Sequence, residues 1–274
     1  MEIKIIAMDL DGTALQSDRC SFSPRLQRAL NEAHKRGVHI VPVTGRQYEL
    51  LPPAVKGHPE WENLAVLCNG GQVRRLADGE LLSGLTICGQ ALKQLLDLAR
   101  DWDLPIEFSV DGKLHLTRDD YEKQKPVPEL SFHRDIILAN HGVVVDGLEP
   151  LCGERVEKVN LLCIPPNRKQ ALEQALQGIA VSAVWSSASA MEITHPDATK
   201  GQGLAQICRI LGLSLSQVMA LGDSGNDITM LRQAGLGVAM GNAPDFVKKA
   251  ADVVTESNEN DGAAIAIERY VLGR

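Results

Sequence analysis

Apolar residues come in short runs that end on polar or glycine-bearing turns, and this rhythm dominates both ends of the chain. Residues 3–8 form one such run, predicting a buried strand that delivers Asp9 at its end. Leu26, Ala29, Leu30 and Ala33 then recur at helical spacing over 24–36, and Gly37 stops the pattern. Residues 38–43 and 64–68 predict two further strands, the second closed by Asn69, Gly70 and Gly71. Strand and helix in alternation predict a parallel sheet wrapped by helices. The alternation returns late in the chain, with helices over 203–211 and 227–234, strands over 218–221, 236–240 and 251–254, and a closing helix from Gly262.

The middle of the chain reads differently. A helix over 91–102 leads into strands over 106–110 and 113–117, joined by the turn residues Asp111 and Gly112. After a polar, proline-bearing stretch with helical segments come a strand over 156–164, a helix over 169–177 and strands near 181–185 and 191–194. A helix followed by a hairpin, occurring twice, predicts a separate α+β unit set into the parallel domain. The expected organisation is α/β: a doubly wound, Rossmann-like parallel-sheet core of residues 1–82 and 194–274, and an inserted α+β cap of residues 83–193. A length of 274 residues suits two moderate domains. No short-period repeat or low-complexity segment interrupts this reading.

Composition narrows the partners. With 44% hydrophobic and 23% charged residues, the chain has the make-up of a globular protein with a sizeable core. A formal net charge of −7 argues against broad contact with nucleic acid or an anionic membrane, both of which need basic surface. A phosphorylated small molecule would therefore need a local cationic pocket. The six cysteines lack paired metal-ligand spacing and read as reduced, small, buried residues. Acidic residues at positions 2 and 9 break the apolar region that a secretory signal needs, and no apolar run is long enough to span a bilayer. A cytoplasmic enzyme is expected; oligomeric state leaves no trace in the sequence.

Candidate chemistry gathers at the predicted strand ends, where open α/β sheets bind ligands. Asp9, Leu10, Asp11, Gly12 and Thr13 place two carboxylates two residues apart after the first strand. Such groups can ligate magnesium, attack phosphorus or do both, or form a solvated acidic turn. Thr44, Gly45 and Arg46 follow the second strand, with a hydroxyl and backbone N–H groups suited to phosphate oxygens; a helix cap is the plainer alternative. Lys200 stands just before the predicted 203–211 helix, where its ammonium could meet an anion. Gly222, Asp223, Ser224, Gly225, Asn226 and Asp227 join a strand end to a helix start, with Asp223 the stronger ligand candidate and Asp227 a possible cap. An attacking carboxylate and a phosphate about 4 Å apart repel by roughly 4 kcal/mol per charge pair at an effective dielectric near 20, so cations must be present. Magnesium and Lys200 would offset that repulsion and stabilise the transferring oxygens.

These four elements, in this order, closely resemble the motifs of the haloacid dehalogenase superfamily of phosphotransferases. The insertion after the third strand, and the run Val238, Ala239, Met240, Gly241, Asn242 and Ala243, resemble the Cof-like sugar-phosphatase branch. The resemblance implies Asp9 as the nucleophile that forms an aspartyl phosphate and Asp11 as general acid and base. It implies Mg2+ bound by Asp9, the backbone of Asp11, and Asp223, with Asp227 supporting through water. The backbone of Leu10, together with Thr44, Gly45, Lys200 and Asn226, would hold the phosphate, and the cap would sit over the site and select the substrate. The implied partner is a small phosphorylated metabolite, either a sugar phosphate or a cofactor phosphate.

Two rivals share these motifs. A sugar phosphomutase would return the phosphoryl group to a sugar hydroxyl, and a phosphometabolite sensor would bind without turnover. An Asp-x-Asp glycosyltransferase would not need Thr44, Lys200 and the second acidic loop together. Outside the motifs, His195 reads as a packed or exposed residue rather than a substrate contact, and Lys158 and Arg155 are cap cations that could meet a substrate anion.

Overall fold

The computed structural model describes residues 2–58, 64–131, 133, 138 and 142–274. They divide into two compact units, one of Met1–Ser83 with Thr199–Arg274 and the other of Gly84–Ala198.

In the first unit, strand β1 (Ile5–Met8) has every residue buried, as expected of a central parallel strand covered on both faces. Helix α1 (Pro24–Lys35) begins where the Ser23 hydroxyl accepts the Leu26 N–H at 3.1 Å and Pro24 takes the first helical position. Its buried stripe is Leu26, Ala29, Leu30 and Ala33, the four residues singled out by spacing. Strands β2 (His39–Pro42) and β3 (Leu64–Leu67) follow, and then β4 (Gln72–Arg75) and β5 (Leu81–Gly84), which form a small sheet with β3.

The second unit opens with helix α2 (Gly89–Asp101), then the hairpin β6 (Ile106–Val110) and β7 (Lys113–Thr117). Helix α3 (Arg118–Gln124) starts with a capping box between Thr117 and Asp120. Strand β8 (Gly142–Val145) pairs in parallel with β7 and has no counterpart in the sequence reading, which gives the polar, proline-bearing stretch after 113–117 helical segments only. Then come β9 (Val156–Leu161), α4 (Lys169–Leu176), β10 (Ser182–Trp185) and β11 (Met191–Thr194). The six strands form one sheet in the order β10-β11-β9-β6-β7-β8. Its apolar core includes Leu92, Leu95, Phe108, Val159, Leu172 and Ile193.

The chain returns to the first unit with α5 (Lys200–Leu211), β12 (Val218–Gly222), α6 (Ile228–Gln233), β13 (Leu236–Ala239), β14 (Val253–Val254) and α7 (Gly262–Ile267). The parallel sheet runs β14-β13-β12-β1-β2, and a parallel bridge between Val43 and Val66 brings β3 to its edge. Helix α5 starts at Lys200, three residues before the sequence expectation. Gly201 and Gly203 in its first turn allow close packing: a Cβ on Gly203 would lie 2.4 Å from a methyl of Val66. Among the described residues, no helix is long and apolar enough to cross a membrane.

Candidate active site

Register brings the chemistry together. Met8 lies opposite both Leu221 and Pro42, so Asp9, Gly222 and Val43 leave three adjacent parallel strands at the same level. The Asp9 N–H donates to Leu221 O at 3.0 Å and the Val43 N–H to Met8 O at 2.9 Å, which carries the sheet's order into the loops. Asp9 thus stands at the carboxyl edge of the central strand, with Asp223 one loop residue beyond β12.

Lys200 organises this edge. It is the first residue of α5, where the amino-terminal dipole disfavours a cation, and it is 1% exposed. Two carboxylates make the position tenable: its ammonium donates to Asp9 Oδ1 and Asp227 Oδ1, each at 2.6 Å. Burial acts to lower the Lys200 pKa, but Asp227 and Asp9 outweigh it and hold the ammonium protonated. The other Asp227 oxygen accepts the N–H groups of Asp223 and Ser224 at 2.9 Å each, so this carboxylate both caps the turn and anchors the lysine. Both of its oxygens therefore accept N–H donors.

Asp9, Asp223 and Asp227 each offer an oxygen within 4.8 Å of the others. One lysine faces these carboxylates, and both Asp9 and Asp223 hold a proton more readily than usual. Burial raises the Asp9 carboxyl well above its usual range, against the pull of Lys200. Burial and then Asp227 push Asp223 up to about 6. Hard carboxylate oxygens with excess negative charge are the donor set of a divalent cation such as Mg2+ or Ca2+. The residues fit such an ion, with Asp9 and Asp223 its first candidates. Thr13 donates to Asp223 Oδ1 at 3.0 Å, and Asn242 donates to Gly12 O at 2.9 Å, fixing the loop between them. Gly12 has φ of +78°, and a Cβ there would lie 2.5 Å from Asp223 Oδ2; left-handed backbone and close approach both require glycine.

The remaining predicted residues surround this cluster at different depths. Thr44 is 1% exposed, and its hydroxyl accepts the Arg46 N–H at 3.1 Å, while Gly45 lies between them in the loop after β2. Leu10 is buried at the start of the turn Leu10–Ala14. The Asn226 amide donates to Asn69 Oδ1 at 2.9 Å, joining the loop after β12 to the loop after β3. The Asp11 side chain lies outside the three-carboxylate cluster. Its oxygens accept Arg46 Nε at 2.7 Å and a terminal guanidinium nitrogen at 2.6 Å.

Arg46, Thr13, Asn69 and Asn242 therefore belong to the site although sequence reasoning gave them no role. Each stood within or beside a quoted motif, and the missing information was which partner each side chain meets. In the second unit, Lys158 is buried and pairs with Glu192 at 2.7 Å, which removes the main reason to offer its charge to a substrate. His195 Nδ1 accepts the Asp197 N–H at 3.1 Å, a turn contact that suits its structural reading. Cys68, Cys152 and Cys208 are buried as expected, whereas Cys20 and Cys88 are exposed.

Comparison with known proteins adds independent support. A sequence profile of haloacid dehalogenase-like hydrolases matches residues 6–267. A 5-amino-6-(5-phospho-D-ribitylamino)uracil phosphatase of Escherichia coli K12 is 30% identical over 275 residues, covering 99% of this chain and 97% of its own. A phosphatase of the same description from Bacillus subtilis 168 is 28% identical over 272 residues, with 99% and 97% covered. Among solved structures, a phosphatase of the haloalkanoate superfamily from Bacteroides thetaiotaomicron superposes with a TM-score of 0.81 at 25% identity, covering 98% of this chain and 95% of that one.

Proposed function

The chain belongs to the haloacid dehalogenase-like hydrolase family and is a phosphatase, and we propose that it hydrolyses a small phosphorylated metabolite in a magnesium-dependent reaction through an aspartyl phosphate on Asp9. The observation that carries this reading is the Asp9 carboxylate itself, held through Oδ1 by a buried lysine with Asp223 beside it. Its Oδ2 is then the atom for attack on phosphorus.

In the first step Asp9 forms a bond to phosphorus as the bond to the ester oxygen breaks, and Asp11 gives that oxygen a proton. In the second step water attacks phosphorus, Asp11 takes a proton from the water, and Asp9 leaves as a carboxylate, releasing inorganic phosphate. Lys200 offsets charge on the transferring oxygens, and Thr44, the N–H groups of Leu10 and Gly45, and the Asn226 amide supply hydrogen bonds to them. A bound Mg2+, held by Asp9, Asp223 and the Asp11 backbone with Asp227 behind them, would supply further charge neutralisation. Selection among phosphate esters falls to the inserted unit in this reading, because the core groups recognise the phosphate common to all of them. The two relatives that share the ribitylaminouracil phosphatase description support a phosphorylated polyol attached to a heterocycle as the first substrate to test.

Phosphate release from a panel containing that compound, pyridoxal phosphate and hexose phosphates, measured with magnesium and with chelator, tests the proposal. We expect turnover that requires magnesium and falls by about 10⁴-fold or more in Asp9→Asn. Isomer formation from a sugar phosphate without phosphate release would replace the phosphatase with a mutase.

A further inference from the structure

Arg46 has no place in the scheme above, yet its guanidinium makes four hydrogen bonds. Nε donates to Asp11 Oδ2 at 2.7 Å, and one terminal nitrogen donates to Asp11 Oδ1 at 2.6 Å and to Arg19 O at 2.9 Å. The other terminal nitrogen donates to Leu50 O at 3.1 Å. The guanidinium therefore ties the Asp11 carboxylate to the backbone at Arg19 and at Leu50.

This arrangement decides between two roles for an arginine at the site. A phosphate clamp must keep its fork open for the ligand, whereas this fork is already closed on a carboxylate in bidentate geometry. Asp11 needs such a partner, because its side chain is 42% exposed and otherwise could sample several rotamers. The Arg46 side chain is 12% exposed and anchored at both ends, so it can impose one orientation on its more mobile neighbour. The same cation also feels the charge of Asp9, which places the clasp within electrostatic reach of the nucleophile.

We infer that Arg46 is a positioning residue that holds Asp11 where it can serve the leaving oxygen and the incoming water. The inference rests on the reading of Asp11 as the general acid and base. Its reach is proton transfer to the departing alcohol, so its effect should grow with the difficulty of that departure. p-Nitrophenolate leaves readily without a proton; a sugar or polyol alkoxide does not.

The test measures kcat/KM, which reports steps through release of the alcohol, for an alkyl phosphate and for p-nitrophenyl phosphate in the unaltered enzyme, Arg46→Gln, Arg46→Lys and Asp11→Asn. General acid catalysis contributes about 10²–10⁴-fold, so Asp11→Asn should lose in that range on the alkyl ester and far less on the aryl ester. Arg46→Gln should show the same leaving-group bias at about 10-fold or more, and Arg46→Lys should recover part of it through a single contact. Equal losses on both esters in Arg46→Gln, with the bias intact in Asp11→Asn, would assign Arg46 to loop structure and overturn the inference alone. Absence of bias in Asp11→Asn would remove the general-acid reading and the inference with it. Thermal melting of each variant, with and without magnesium, separates loop collapse from misplaced chemistry.

Discussion

Two buried carboxylates, Asp9 in the parallel-sheet unit and Glu107 in the inserted unit, have similar exposure and pKa shifts in opposite directions. Asp9 is 4% exposed and its pKa is raised, whereas Glu107 is 0% exposed and its pKa is lowered. Burial raises both; the neighbours decide the outcome. Around Glu107, Gln124 donates at 2.9 Å, Asn160 at 3.0 Å and His133 approaches both oxygens at 2.9 Å, so burial is outweighed by a matched set of partners. Around Asp9, one lysine is shared with Asp227, and Asp223 adds repulsion. A carboxylate with enough partners holds a sheet together, while one with too few is prepared to receive a cation or a reacting group. The contrast separates a satisfied ionic network from one short of positive charge where burial alone does not.

The contrast breaks most severely if Lys200 is removed. Lys200→Met leaves Asp9 and Asp227 buried without their shared cation, and we expect a stability loss of about 3–5 kcal/mol in chemical denaturation, together with loss of turnover. A melting curve and turnover unchanged by this substitution would refute the central role of the lysine.

Filling the cation deficit should have the next largest effect. Magnesium at 100 times its dissociation constant is expected to stabilise the protein by about 2.7 kcal/mol, seen as a rise in Tm that chelator reverses. Asp223→Asn should abolish that rise, and Glu107→Gln should leave it in place. A shift of equal size in Asp223→Asn would place the ion elsewhere.

The smallest effect concerns the satisfied network. Burial acts to lower the His133 pKa, but Glu107 outweighs it and raises the value; burial acts to raise Glu107, but His133 and the amides outweigh it and lower the value. The Glu107 contribution is present above the ordinary carboxylate pKa and is lost as pH falls through its depressed folded value. The His133 contribution is present below the ordinary imidazole pKa and is lost as pH rises through its raised folded value. Their joint stabilisation is therefore largest between about pH 4.5 and 6.5. His133→Gln should cost about 1–3 kcal/mol in that window and progressively less on either side of it, with kcat unchanged. A pH-independent loss would assign His133 to packing.

Much of the site was legible in the order of residues. Asp9, Thr44, Lys200 and Asp223 each follow an apolar run or flank a helix start, and parallel strands must bring such ends to one edge. Four side chains were harder to read. Asp11 is two residues from Asp9 but bonds to Arg46, because the chain turns sharply at Gly12 instead of extending the strand. Thr13, Asn69 and Asn242 touch partners more than a hundred residues away, or across separate loops, and no local pattern encodes those contacts. Strand β8 was hidden for a related reason: four residues offer too short a period, and its pairing with β7 supplies the stability that its own sequence does not announce.

Hydrophobic periodicity by itself predicted a parallel α/β core interrupted by an α+β unit, because burial has the period of the backbone, and the four ordered polar motifs resembled those of a phosphotransferase family while leaving phosphatase, mutase and sensor open. Tertiary structure alone decided which carboxylate faces the lysine, which faces an arginine and which are left short of positive charge. Those outcomes depend on distances of a few ångströms between residues far apart in the chain, where electrostatic energy changes steeply and the order of residues carries no measure of separation.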